Sequence, residues 1–129
     1  MCRLIGEELS SVVFVRDYAQ FDFDGPRLTT FVWPQVKVGR PESPGARHWG
    51  FADQGYRDAL CGLIGRTVTG AADSPATGVV LRFHEDALVI NPEPGDLEGP
   101  EIAILQMNDA SRDWNVWQPG RGSFADRAW

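Results

Sequence analysis

The stretch Val79-Val80-Leu81-Arg82-Phe83-His84-Glu85-Asp86-Ala87-Leu88-Val89-Ile90 decides the fold class. Val79, Leu81 and Phe83 alternate with Val80, Arg82 and His84. Successive side chains leave a strand on opposite faces, so this period of two reads as a half-buried strand. A tight turn at Glu85-Asp86 leads into a return strand over 87–91, with Leu88 and Ile90 on one face. The whole reads as a β-hairpin.

A similar pattern occurs in the first half of the chain. Phe21-Asp22-Phe23 followed by Leu28 matches Leu81-Arg82-Phe83 followed by Leu88, at an offset of 60. Cys2, Leu4, Ile5 and Gly6 (C-x-L-I-G) match Cys61, Leu63, Ile64 and Gly65 at an offset of 59, so one inserted residue reconciles the registers. The shared order of the matches points to an internal duplication, with independent hairpins as the plainer alternative. Farther along, two anchors compete: Phe51-Ala52-Asp53 with Phe124-Ala125-Asp126, and Arg47-His48-Trp49 with Arg112-Asp113-Trp114.

Further strands are expected over 10–15, 20–24, 27–33 and 66–70. Asp24-Gly25 is a hairpin signal, and Pro26, which has no N–H for a ladder, belongs in that turn. Residues 101–107, apolar on both faces, read as a central strand, and 113–118 as the last strand. The Pro/Gly-rich segments 39–45 and 92–100 read as loops. Asp53 is placed as the N-cap of a short helix carrying Tyr56, Ala59, Leu60, Leu63 and Ile64, which Gly65 ends. Residues 124–129 read as the start of a second short helix. The expected architecture is one domain over 1–129, mainly β with α+β as the alternative. It is built from two tandem antiparallel meander units, about 1–60 and 61–129, packed as a sandwich or a small closed barrel.

The composition is that of a globular protein: 129 residues, 43% hydrophobic, 23% charged and a formal net charge of −6. A chain of this length buries about two thirds of its extended surface, so it folds without metal or disulfide. The acidic balance argues against nucleic acid and anionic membrane as partners, since both call for clustered Lys/Arg. No apolar run exceeds the length of Val12 to Val15, far short of the ~20 residues of a membrane helix. The N-terminal MCRLIGEEL lacks the apolar core of a signal peptide. Together with only two cysteines, these features read as a cytoplasmic location. Cys2 and Cys61 are expected in the core as small hydrophobes, with a pairing through their equivalent repeat positions as the sharper alternative. Eleven Arg against one Lys reads as the codon usage of a GC-rich bacterial genome.

No cofactor or metal is expected. His48, in a loop, and His84, at a hairpin tip, lack the orienting partner and nucleophile that a catalytic histidine needs. Asp22-Phe23-Asp24-Gly25 has the start of a calcium loop without its further oxygens or closing Glu, and reads as a turn. Charge is more informative. Residues 1–62 carry seven basic against eight acidic side chains, and residues 63–129 carry five against ten. Between Phe83 and Ser111 there is no Lys or Arg. The reading is a non-enzymatic protein-interaction or regulatory, immunity-like module. Its contact residues would be Glu85, Asp86, Glu93, Asp96, Glu98 and Glu101 with Trp114 and Trp117, offered to a basic protein partner. A homodimer is a further expectation. The alternative is a small-ligand binder or enzyme with its pocket between the units, drawing on Asp22, Asp24, Glu85 or Glu101 with Arg82 or Arg112.

Residues 63–117 carry L-I-G-R-T-V, L-x-F-x-x-x-x-L-x-I, G-P-E-I-A (Gly99 to Ala103) and W-x-V-W (Trp114 to Trp117). In these motifs the chain resembles small uncharacterised proteins of actinobacterial-type, high-GC genomes, a family with no established activity. The resemblance implies a bacterial cytoplasmic origin and transfers no catalytic residue.

Overall fold

The computed structural model describes residues 2–40, 44–74, 78–92, 102–107 and 114–117. Strands β1 (Ser11–Val15), β2 (Tyr18–Asp22) and β3 (Arg27–Thr30) form one antiparallel meander. Strands β6 (Gly70–Ser74), β7 (Gly78–Phe83) and β8 (Asp86–Ile90) form a second. Their registers agree pair by pair. Asp22 stands between Ser11 and Arg27, as Arg82 stands between Gly70 and Ala87. The alternation places Phe21, Phe23 and Leu28, and likewise Leu81, Phe83 and Leu88, at zero exposure in the core.

The chain then does something that periodicity does not announce. After β3 it leaves its own sheet, and β4 (Gln35–Val38) pairs with β8, carrying β5 (Arg47–Trp49) on its far side. After β8 the reverse happens: β9 (Ala103–Gln106) pairs with β3 and carries β10 (Trp114–Trp117). The sheets therefore run β1-β2-β3-β9-β10 and β5-β4-β8-β7-β6. Each takes three strands from one half of the chain and two from the other. The two sheets do not join edge to edge into a barrel. They are the layers of a mainly β sandwich around one core, to which Leu28 and Leu105 contribute from one sheet and Val36 and Leu88 from the other.

The two C-x-L-I-G stretches meet. Gly6 N–H donates to Val68 O at 2.8 Å and Gly65 N–H to Leu9 O at 2.7 Å; Leu9 N–H donates to Arg66 O and Val68 N–H to Glu7 O, both at 2.9 Å. Glu8 and Thr67 form the bridge between these pairs. Exchanging each residue for its counterpart 59 positions away turns the set into itself. Leu4 and Leu63 are buried beneath it, while Ile5 and Ile64 stay 45% and 41% exposed. Both stretches end on a glycine with positive φ, +90° at Gly6 and +87° at Gly65, a backbone that side-chain-bearing residues adopt at a cost.

Several local expectations give way to this arrangement. β6 starts at Gly70 rather than 66, because residues 66–68 are engaged in the clasp. β3 stops at Thr30 because the chain crosses sheets there. His48 lies in β5 rather than in a loop, opposite Lys37. Helix α1 (Tyr56–Cys61) begins after Gly55, not Asp53. The Asp53 carboxylate instead accepts from Gly50 N–H at 2.7 Å, closing the preceding turn. Cys61 is an exposed free thiol rather than a core residue. In the paired registers Trp49 answers to Asn115, one residue beyond the Trp49–Trp114 match; Phe124 to Trp129 lie outside the described residues.

Gly6→Ala and Gly65→Ala test the clasp. Added Cβ atoms would meet nothing within 4 Å, so only the backbone cost remains. Each variant is expected to lose about 1–2 kcal/mol in urea unfolding, and the two losses should agree. A loss at one glycine alone contradicts the reciprocal pairing.

Candidate functional site

The acids singled out by sequence do not all stand free. Glu85 Oε1 is 3.3 Å from Arg40 Nε, with both side chains largely exposed. Asp86 is more deeply engaged: Oδ2 accepts from Arg66 Nη1 at 2.8 Å and Oδ1 from Gly39 N–H at 2.9 Å. Arg66 also donates to Phe83 O at 2.7 Å. Asp86 thus ties the start of β8 to the clasp and to the end of β4, a structural duty. Glu93, Asp96, Glu98 and Glu101 lie outside the described residues. Trp114 is placed by its backbone in β10, and its side chain lies outside the description. Trp117 is 8% exposed and belongs to the core rather than to a contact surface.

Among the described residues, those of the enzyme alternative do not converge either. Asp22 belongs to the first sheet, where it accepts from Ser11 Oγ at 2.9 Å and from Arg27 Nε at 2.6 Å. Asp24 is exposed in the turn after it. Arg82 and Glu85 belong to the second sheet and its β7–β8 turn; Glu101 and Arg112 lie outside the described residues.

A hollow of about 350 Å³ forms where the chain crosses between sheets. Phe31, Trp33 and Gln35 come from the β3–β4 crossover, and Val89 and Asn91 from the end of β8, where the other crossover begins. Phe51, from the turn before α1, closes one side. It is 43% exposed and stacks on Trp33 with ring centroids 4.4 Å apart and planes 15° from parallel. Its other neighbours are the edge-on ring of Tyr56 at 6.0 Å and the guanidinium of Arg57 at 5.5 Å. Arg57 also lies 5.9 Å from the ring of Phe14 in β1. The described lining offers flat apolar surface and the amides of Gln35 and Asn91, with no titratable group among the described residues.

Tyr56 keeps this end in place. Its ring is 1% exposed, and its hydroxyl donates to the carbonyl of Pro34 inside the crossover, so α1 and the crossover move as one. Sequence reading assigned Tyr56 to helical spacing and missed its hydroxyl's role. The pairing of Trp33 with Phe51 has no counterpart in the sequence reading. The available signal was an aromatic pair flanking a proline between strands.

Burial pushes the Tyr56 phenol well above its usual value near 10, with the charge of Arg57 acting in the opposite direction. The folded chain therefore holds that proton more tightly than the unfolded one. The stabilisation is complete below pH 10 and is lost progressively as pH rises beyond it. Tyr56→Phe is expected to cost about 1–3 kcal/mol at neutral pH, because the Pro34 carbonyl loses its donor. Its stability deficit against the wild type should shrink in urea titrations at about pH 11, where only the wild type ionises a phenol at this position. A deficit unchanged between the two pH values contradicts the buried, donating hydroxyl.

Comparison with protein-family models, with curated proteins and with solved structures finds no match to this chain.

Proposed function

We propose that the protein is a non-enzymatic interaction module, regulatory or immunity-like, that takes a basic protein partner at the aromatic end of the sandwich. One observation carries the reading: both flanks of the acidic stretch 93–101 are held at the aromatic hollow. Pro92 lines it, and the carbonyl of Ile102 accepts from the N–H of Phe31, another lining residue, at 2.9 Å. Glu93, Asp96, Glu98 and Glu101 lie between these two flanks in the sequence. An apolar side chain of the partner would fill the hollow, the amides of Gln35 and Asn91 would pair with its backbone, and the acids would draw its Lys and Arg. Aromatic and Arg side chains, such as Trp33, Phe51 and Arg57, are the usual anchors of protein contacts.

The absence of a titratable group in the described lining favours binding over proton-transfer catalysis. The free thiol of Cys61 fits a reducing cytoplasm, and no helix among the described residues is long and apolar enough to cross a membrane. A small flat ligand held between the two halves is the second reading, supported by the same stacked pair. Charge dependence separates them.

The full chain should retain a basic protein from native cells at low salt and release it as salt approaches about 0.3 M, since the ionic attraction is screened there. Neutralisation by Glu93→Gln, Asp96→Asn, Glu98→Gln and Glu101→Gln together, and separately Phe51→Ala, should each weaken that partner at least about tenfold in calorimetric titration. A partner indifferent to both changes sinks the proposal. A ligand that needs Phe51 and ignores the four neutral substitutions decides for the small-molecule reading.

A further inference from the structure

The two equivalent sheets provide an internal comparison. A register row across the first sheet runs Ser11, Asp22, Arg27, Gln106. The matching row across the second runs Gly70, Arg82, Ala87, Lys37, with His48 beyond. In the first row the central acid is satisfied within the sheet by Ser11 and Arg27. In the second every member of that network differs: Ser11 becomes Gly70, Asp22 becomes Arg82 and Arg27 becomes Ala87. Arg82 therefore stands where its counterpart is an acid, and among the described residues it has no ion pair. Both of its register neighbours are small, and Ala87 is 4% exposed. The Arg82 stem lies across Gly70, with Cβ and Cδ 3.7 and 3.9 Å from where a glycine Cβ would be.

At the β7–β8 turn Arg82 borders a cleft of about 690 Å³, lined by Arg40, Arg66, Arg82, His84, Glu85 and Asp86. Three guanidinium groups and an imidazole face two carboxylates. Asp86 and Arg66 are engaged with each other and with the backbone. Glu85 is only a solvent-screened partner of Arg40, easily displaced by a competing anion. His84 is held at φ +63°, with its N–H donating to Thr69 Oγ1 at 2.9 Å, so the tip has a fixed shape. The counterpart Asp24 also has positive φ, +27°. The backbone device is shared by both halves, with an imidazole where the first half has a carboxylate.

We propose that this cleft is a binding site for a phosphate monoester on a small molecule, with Arg82 and Arg40 supplying charge and His84 an N–H donor. A monoester near neutral pH carries nearly two charges and three terminal oxygens, which match two guanidinium forks and an imidazole. A carboxylate, with one charge and two oxygens, leaves a donor unmatched. The volume exceeds that of a bare phosphate and lies in the range of small-molecule sites. The site shares no lining residue with the aromatic hollow, so it stands or falls separately from the proposed function.

The decisive variant copies the first sheet into the second: Arg82→Asp with Ala87→Arg, which recreates the Asp22–Arg27 pair. Ribose 5-phosphate, phenyl phosphate, inorganic phosphate and tetraglutamate are titrated calorimetrically against the full chain. The wild type should bind both esters, at least tenfold more tightly than inorganic phosphate or tetraglutamate. The double variant should lose at least tenfold in ester affinity. If the double variant fails to fold, the exposed single change Arg82→Gln provides the same comparison. Ester binding unaffected by Arg82, absence of ester binding in the wild type, or equal affinity for inorganic phosphate or tetraglutamate each overturns the proposal.

Discussion

Four backbone hydrogen bonds between residues 6–9 and 65–68 join the two halves of this chain at the point where each enters its meander. Their geometry needs a left-handed residue on each side, and glycine stands at both. Because the two strands of the clasp are antiparallel and equivalent, they relate β1 to β6, β2 to β7 and β3 to β8 by one operation. The exchange of β4 and β9 then follows the same relation. A three-stranded meander alone would leave β3 or β8 as an open edge, a row of unpaired backbone donors and acceptors. Each half covers the other's edge with its own fourth strand. Neither half closes its own sheet or its own share of the core, since Leu105 packs into the layer of Leu28 and Val36 into that of Leu88.

What the sequence disclosed tracks the length of the pattern. β2, β7 and β8 carry five or six residues with a buried alternate set, and periodicity finds them. β4 and β5 carry four and three, so Val36 and Val38 beside Gln35 and Lys37 pass for part of a Pro/Gly-bounded connection. Strand exchange leaves no local mark at all: a strand pairs through backbone groups that every residue has, and its partner sheet is chosen by the global closure of edges. The same holds for charge. The acids at 85 and 86 stand in a run without Lys or Arg, yet Arg40 and Arg66 reach them from β4's end and from the clasp. Counting charges along a chain measures composition; pairing is decided in space.

The aromatic hollow is a by-product of that exchange. A chain crossing from one layer of a sandwich to the other must run across the end of the core, where backbone and side chains cannot all be covered. Phe31, Trp33 and the Pro34 carbonyl occupy one such crossing, and α1 is fastened to it through Tyr56. A rigid end of this kind is suited to recognition. Its stacked pair is preformed, so a ligand need not order it on binding.

The equivalence of the two sheets also leaves one copy of a motif without its structural work. In the first sheet Ser11, Asp22 and Arg27 use their polarity on each other. In the second, the backbone register is kept while Gly70, Arg82 and Ala87 remove the internal partners. The fold tolerates this because Arg82 is exposed and the small Ala87 fits its buried place, while the sheet is held by the core set Leu81, Phe83 and Leu88. A net charge of −6 averaged over the chain conceals the result. The face bearing Arg82 and Lys37 is cationic, while the acid of the same half is concentrated in the stretch 93–101. The two proposed sites draw on different residues, since the cleft at Arg82 and the aromatic hollow share no lining residue.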